Sequence, residues 1–76
     1  MKIKHTGEEH AYLKEVGQRI REARQNLGPS QETFAKTCEL DRTYISDVER
    51  GERNISLLNF KKIAKSLSVT ISALVG

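Results

Sequence analysis

Residues 31–51 read QETFAKTCELDRTYISDVERG, and the fold turns on how that stretch divides. Ser30 is placed to cap a short helix from Gln31 to Cys38, and Asp41 to cap a second from Arg42 to Arg50. In each case the side-chain oxygen can accept from an N–H of the first turn. Between them Glu39 falls where a left-handed backbone is expected and where Gly would be the easy choice. The second helix has two unlike faces. At about 100° per residue, Tyr44, Ile45 and Val48 lie on one side, suited to a core. Arg42, Thr43, Ser46, Asp47 and Arg50 lie on the other. Such a row of donors and acceptors, carried on a rigid rod, can reach base edges in a DNA major groove.

Outward from this unit the chain reads as helix throughout. Thr6 and Glu9 have the form of a capping box. Leu13, Val16, Ile20, Ala23 and Leu27 then step by three and four, which marks one helical stripe. Gly17 interrupts the stripe at a cost of about 1 kcal/mol against Ala, which argues for a later start. Lys14, Arg19, Arg21 and Arg24 with Glu15 and Glu22 form its charged outer side. Gly28-Pro29 ends this helix. Phe34 and Ala35 are the inward residues of the next. Beyond the polar turn at 51–54, Ile55 is expected as an anchor. Ser56 caps a fourth helix with a stripe of Leu57, Phe60, Ile63, Ala64 and Leu67, and Thr70 a short last one. The β-branched run at 69–71 is too short to pair as a strand. The prediction is an all-α, compact five-helix bundle, with residues 1–10 a flexible N-terminal segment and 11–76 the domain. Its two-helix unit lies at about 31–50.

Composition narrows the function classes. Seventy-six residues make one small domain, which buries only about 60% of its unfolded surface, so a simple helical architecture is the economical solution. One cysteine excludes an intramolecular disulfide and fits a reducing cytoplasm. No apolar run approaches the roughly 18 residues of a membrane span. A net charge of +3 and a pI near 9.2 are compatible with nucleic acid. His5 and His10 lie in a polar segment without companion ligands, so no metal site or cofactor is expected. Cys38 reads as a small core residue rather than a reactive thiol. With no Ser–His or Cys–His arrangement, no paired-carboxylate pocket and no Walker-type phosphate loop, an enzyme is not indicated.

Taken together, GQRIREARQNLG, SQETFA, TYISDVERG and LLNFKKIAKSLSVTISALV resemble the phage repressor/Cro-like, or xenobiotic-response-element type, helix-turn-helix family. The resemblance runs from about Val16 to Val75. Within it, LDRTYISDVERGERNIS looks most like the controller proteins that regulate restriction–modification operons. By position, the resemblance implies that Arg42, Thr43, Ser46 and Asp47 read bases and that Gln31 meets a phosphate from a helix N-terminus. It makes Ala35 and Ile45 packing positions between the two helices, and Arg24 and Glu49 an ion pair across the first and third. Glu39 departs from the family's usual Gly, at an expected cost on the order of 1 kcal/mol. Pro29 before Ser30 is also less usual.

Each residue has its own chemistry. Arg42 can donate two parallel bonds to guanine O6 and N7, or else pair with Asp41 or Glu39. Thr43 and Ser46 suit a base edge, a thymine methyl, a phosphate or a plain helix surface. Asp47, repelled by phosphates, should accept from cytosine N4 or hold Arg50 or Arg42 in place. Gln31 either contacts a phosphate, favoured by the helix dipole, or simply starts its helix well. Lys36, Arg50, Arg53, Asn54 and the Tyr44 hydroxyl are further phosphate candidates, of the kind that set register. Ile71, Leu74 and Val75 either close the core or form a dimer seam. The partners implied are double-stranded DNA and a second copy of the chain, with no membrane or metal. The alternative is an antitoxin-like or other protein-interaction module on the same scaffold. The polar row argues against it, because protein hot spots are usually richer in aromatics.

Overall fold

The computed structural model describes residues 6–76; residues 1–5 of the expected flexible segment, with His5, lie outside them. Five helices follow in order: α1 (Gly7–Leu27), α2 (Gln31–Cys38), α3 (Arg42–Glu49), α4 (Leu57–Leu67) and α5 (Ile71–Val75). Among the described residues there is no strand.

The caps sit where short polar side chains precede apolar stripes. Thr6 accepts from the Glu9 N–H while Glu9 accepts from the Thr6 N–H, at 3.1 and 2.8 Å, a reciprocal box that satisfies two orphan donors. Helix α1 therefore starts at Gly7 rather than after Gly17, and takes in residues 7–10. Ser30, Asp41, Ser56 and Thr70 each accept from the first turn of the helix they precede.

Helices α2, α3 and α4 share one way of stopping. A left-handed residue turns the chain so that its own N–H reaches three residues back and the next N–H five. For α2 these are Glu39 to the Lys36 carbonyl (3.1 Å) and Leu40 to Ala35 (2.9 Å); for α3, Gly51 to Val48 (3.0 Å) and Glu52 to Asp47 (2.9 Å). For α4 they are Ser68 to Lys65 (3.1 Å) and Val69 to Ala64 (3.0 Å). Only one of the three turn residues is glycine. At Gly51 an added Cβ would lie 2.6 Å from the Lys14 backbone, whereas Glu39 and Ser68 are exposed and carry φ of 58° and 57°. The left-handed turn at Glu39 matches the sequence reading. That at Ser68 was not foreseen, because serine gives no signal for it. Relieving the strain should show: Glu39→Gly is expected to raise unfolding free energy by up to about 1 kcal/mol, since the left-handed cost of an L-residue exceeds the extra unfolded-chain entropy of Gly. A thermal melt unchanged or lowered by that substitution would contradict the account.

The core holds Val16, Ile20, Phe34, Ala35, Cys38, Ile45, Val48, Ile63, Ala64, Leu67 and Leu74, so every helix contributes. Ile55, as expected, packs against it. Burial pushes the Cys38 thiol above its ordinary pKa, more than its hydrogen bond to Ser66 draws it down, which disfavours a thiolate. Two stripe residues depart from expectation. Leu27 is 55% exposed and Leu57 75% exposed. Both sit at a helix end, and periodicity identifies a face without saying how far along it the neighbours reach. Leu74, one of the dimer-seam candidates, is instead in the core; Ile71 packs against it and Val75 is half-buried. Arg19, expected on a solvated face, donates to the Leu74 carbonyl (3.2 Å), and the Tyr12 hydroxyl donates to that of Val75 (3.0 Å). Helix α1 thereby satisfies carbonyls that α5 leaves unpaired.

Candidate nucleic-acid interface

The position of α3 is set by its contact with α1. Gly17 lies against the end of α3, where an added Cβ would overlap the Val48 carbonyl oxygen and come within 2.8 Å of that of Glu49. Gly51 answers from the other side, against Lys14. One to two turns along α1, Arg24 Nε donates to Glu49 Oε2 (2.7 Å) and Nη2 to Oε1 (3.1 Å). Arg24 Nη1 also donates to the Pro29 carbonyl (2.9 Å), and Gln31 Nε2 to Glu49 Oε1 (2.9 Å). The Glu49 carboxylate, 2% exposed, thus ties α3 to α1 and α2. A buried charge with this many partners fixes geometry more surely than it adds stability. Gln31 enters the network by its side chain, a role not read from the sequence; as the first residue of α2, its backbone N–H has no partner within the helix.

Held this way, α3 buries Ile45, Val48 and Glu49 and turns its polar side outward. Arg42, Thr43, Ser46, Asp47 and Arg50 line a single shallow depression. A second, lined by Arg24, Ser30, Gln31, Glu32 and Arg42, adjoins it at the start of α2. Arg42 and Thr43 are exposed, Ser46 and Asp47 half-buried. Among the described residues Arg42 has neither a hydrogen bond nor an ion pair, so neither Asp41 nor Glu39 holds it. Arg50 is the opposite case. Its Nη2 meets Asp47 Oδ1 at 2.6 Å, its Nη1 donates to Ser46 Oγ at 2.7 Å, and Nε and Nη2 both reach Glu52 Oε2, at 3.3 and 3.2 Å. Asp47 Oδ2 also accepts from Arg53 Nε at 3.4 Å, and the Arg53 guanidinium lies 5.0 Å above the half-buried Tyr44 ring. Asp47 therefore orients Arg50 and Arg53, not Arg42. Lys36 and Asn54 are exposed on α2 and the 51–54 turn. The structure brings Arg42, Thr43, Ser46, Asp47, Arg50 and Arg53 into one surface. Glu52, which the sequence reading passed over, belongs to it.

The helix-turn-helix family model matches residues 20–74, most of the chain and all of this surface. The chain belongs to the helix-turn-helix family. Its relatives within that family are informative about class. Control protein C.BamHI of Bacillus amyloliquefaciens is 54% identical over 54 residues, 70% of this chain and 67% of its own length. Control protein C.MunI of Mycoplasma is 53% identical over 45 residues, 59% of this chain and 61% of its own. Among solved structures, the restriction–modification controller protein C.AhdI of Aeromonas hydrophila superposes with a TM-score of 0.82 at 48% identity, covering 84% of this chain and 97% of its own. This helix-turn-helix protein is a DNA-binding regulator of transcription. Among the described residues, no helix is long and apolar enough to cross a membrane.

Proposed function

We propose that the chain acts as a controller-type regulator of a restriction–modification operon, in the cytoplasm and without catalysis, binding a palindromic operator as a homodimer. One observation supports the reading above others: the polar side of α3 is open, and its arginine best suited to guanine, Arg42, is unengaged among the described residues. Arg42, Thr43 and Ser46 are assigned to bases, and Asp47, placed with them by the family resemblance, to holding Arg50 and Arg53. Lys36, Arg50, Arg53, Asn54, the Tyr44 hydroxyl and the backbone N–H at Gln31 are assigned to phosphates. One recognition helix spans only a few base pairs; two, about 34 Å apart on a twofold axis, read a palindrome. For the seam, Leu57 and Leu58 replace Leu74, being 75% and 73% exposed. Two adjacent leucines so placed favour burial against another chain.

Selection of duplexes from a random pool tests the reading and yields the operator. On the selected duplex Arg42→Ala is expected to weaken binding by about 1–3 kcal/mol, roughly fivefold to 150-fold, while binding to unrelated duplexes stays nearly intact. Equal losses on both would make Arg42 a phosphate contact. With about 8 phosphates neutralised per dimer, the wild-type log–log salt slope should be near −7. Failure to enrich any duplex, with co-purification of an unrelated protein, would favour an antitoxin-like role instead.

A further inference from the structure

We propose that Glu52 is a positioning residue that occupies the Arg50 guanidinium in place of a DNA phosphate, weakening non-specific binding more than sequence-specific binding. The proposal rests on α3 being the DNA-facing element. Its origin is local. The positive φ of Gly51, 75°, folds the chain back at the end of α3, and the Glu52 N–H is pinned to the Asp47 carbonyl at 2.9 Å. That return lays the Glu52 side chain beside Arg50, two residues before it. Of the five guanidinium donors, those on Nε and Nη2 and one on Nη1 are directed at Ser46, Asp47 and Glu52. Arg53 spends its Nε on Asp47. The four side chains Asp47, Arg50, Glu52 and Arg53 therefore carry two positive and two negative charges, and their patch is neutral. A phosphate approaching the Nε–Nη2 edge of Arg50, the one that offers two parallel donors, must displace a carboxylate already in place.

Among the described residues Arg42 faces no such competitor, so the cation best suited to a base is available while the one suited to the backbone is engaged. The backbone term is common to every sequence, whereas base contacts are not. Holding back the first raises the ratio between specific and non-specific binding. Glu52 is the member that can yield. Its side chain is 54% exposed, against 20% for Asp47, and exposed ion pairs contribute little to folding. Without Glu52, Arg50 keeps Ser46 and Asp47 as anchors and regains donors for a phosphate.

The test uses the full chain, a random-sequence duplex and the duplex selected by the wild type, with binding followed by fluorescence anisotropy across a salt series. Glu52→Gln should bind the random duplex about threefold or more tightly per subunit, with a log–log salt slope steeper by about 0.9 per subunit, as one added phosphate contact requires. The gain on the selected duplex should be smaller, so the specificity ratio falls, and the melting temperature should hold. Loss of any negative charge tightens DNA binding to some degree, so the deciding measurement is made in an Arg50→Gln background. There Glu52→Gln should keep only the small general gain from lost repulsion on the random duplex, with no steepening of the salt slope. A gain and a slope change that survive undiminished without Arg50, or no gain in the single variant, overturn the proposal. If the wild type itself binds neither duplex, the assignment of α3 to DNA fails first, in a control that does not involve Glu52, and the proposal fails with it.

Discussion

Arg24→Ala is expected to cost about 3–5 kcal/mol of unfolding free energy, read from urea denaturation, because it leaves the Glu49 carboxylate buried with, among the described residues, Gln31 as its one remaining side-chain partner. For a domain of 76 residues, whose whole stability is on the order of 4–11 kcal/mol, that loss is a large part of the total. Arg24→Lys should recover little. An ammonium cannot span both carboxylate oxygens and the Pro29 carbonyl as the planar guanidinium does. The informative comparison is the double variant Arg24→Leu with Glu49→Leu. Burying two apolar side chains removes the desolvation of both charges, so this protein should be far more stable than Arg24→Ala and close to the wild type. If Arg24→Ala costs less than about 1 kcal/mol, water reaches the pair and its role in fixing α3 is overstated.

How far the chain could be read in advance depended on whether the deciding interaction is local. Caps at Ser30, Asp41, Ser56 and Thr70 involve an oxygen and an N–H two or three residues apart, so the sequence alone could place them. The same holds for the two faces of α3, set by helical period and little else. The Arg24–Glu49 pair spans 25 residues and came from the family resemblance; no spacing rule would have found it. Tertiary reach accounts for the departures. Leu27 and Leu57 sit in correct stripes but beyond the neighbours that would cover them, while Leu74 takes the core alternative of the two the sequence left open. The face proposed to meet DNA was legible in outline, yet its internal wiring was not. Whether Asp47 holds Arg42, Arg50 or Arg53 depends on a few ångströms fixed by the Gly51 turn. Glu52 enters through that same turn.

Gly17→Ala is the substitution for which local and tertiary reasoning disagree in sign. By helix propensity alone, Ala in the interior of α1 should stabilise by about 1 kcal/mol. In the folded protein the added methyl would overlap the Val48 carbonyl oxygen and press on that of Glu49. These are backbone atoms, and they cannot turn aside as a side-chain tip could. The expected result is a net loss of about 1–3 kcal/mol, as for overpacking at a tight contact, seen as a lower urea midpoint with unchanged slope. Gly7→Ala supplies the control within the same helix. Among the described residues, no atom beyond its chain neighbours and its own stretch of helix backbone lies within 4 Å of a Cβ built there, so it should raise stability, by less than about 1 kcal/mol. If both substitutions stabilise, α1 and α3 do not approach as closely as described. The consequence extends to binding. A methyl wedged at Gly17 pushes the last turn of α3 away from α1, and that turn carries Asp47 and Glu49 and leads directly to Arg50. Operator affinity should therefore fall further than the loss of folded protein accounts for, while Gly7→Ala leaves affinity unchanged.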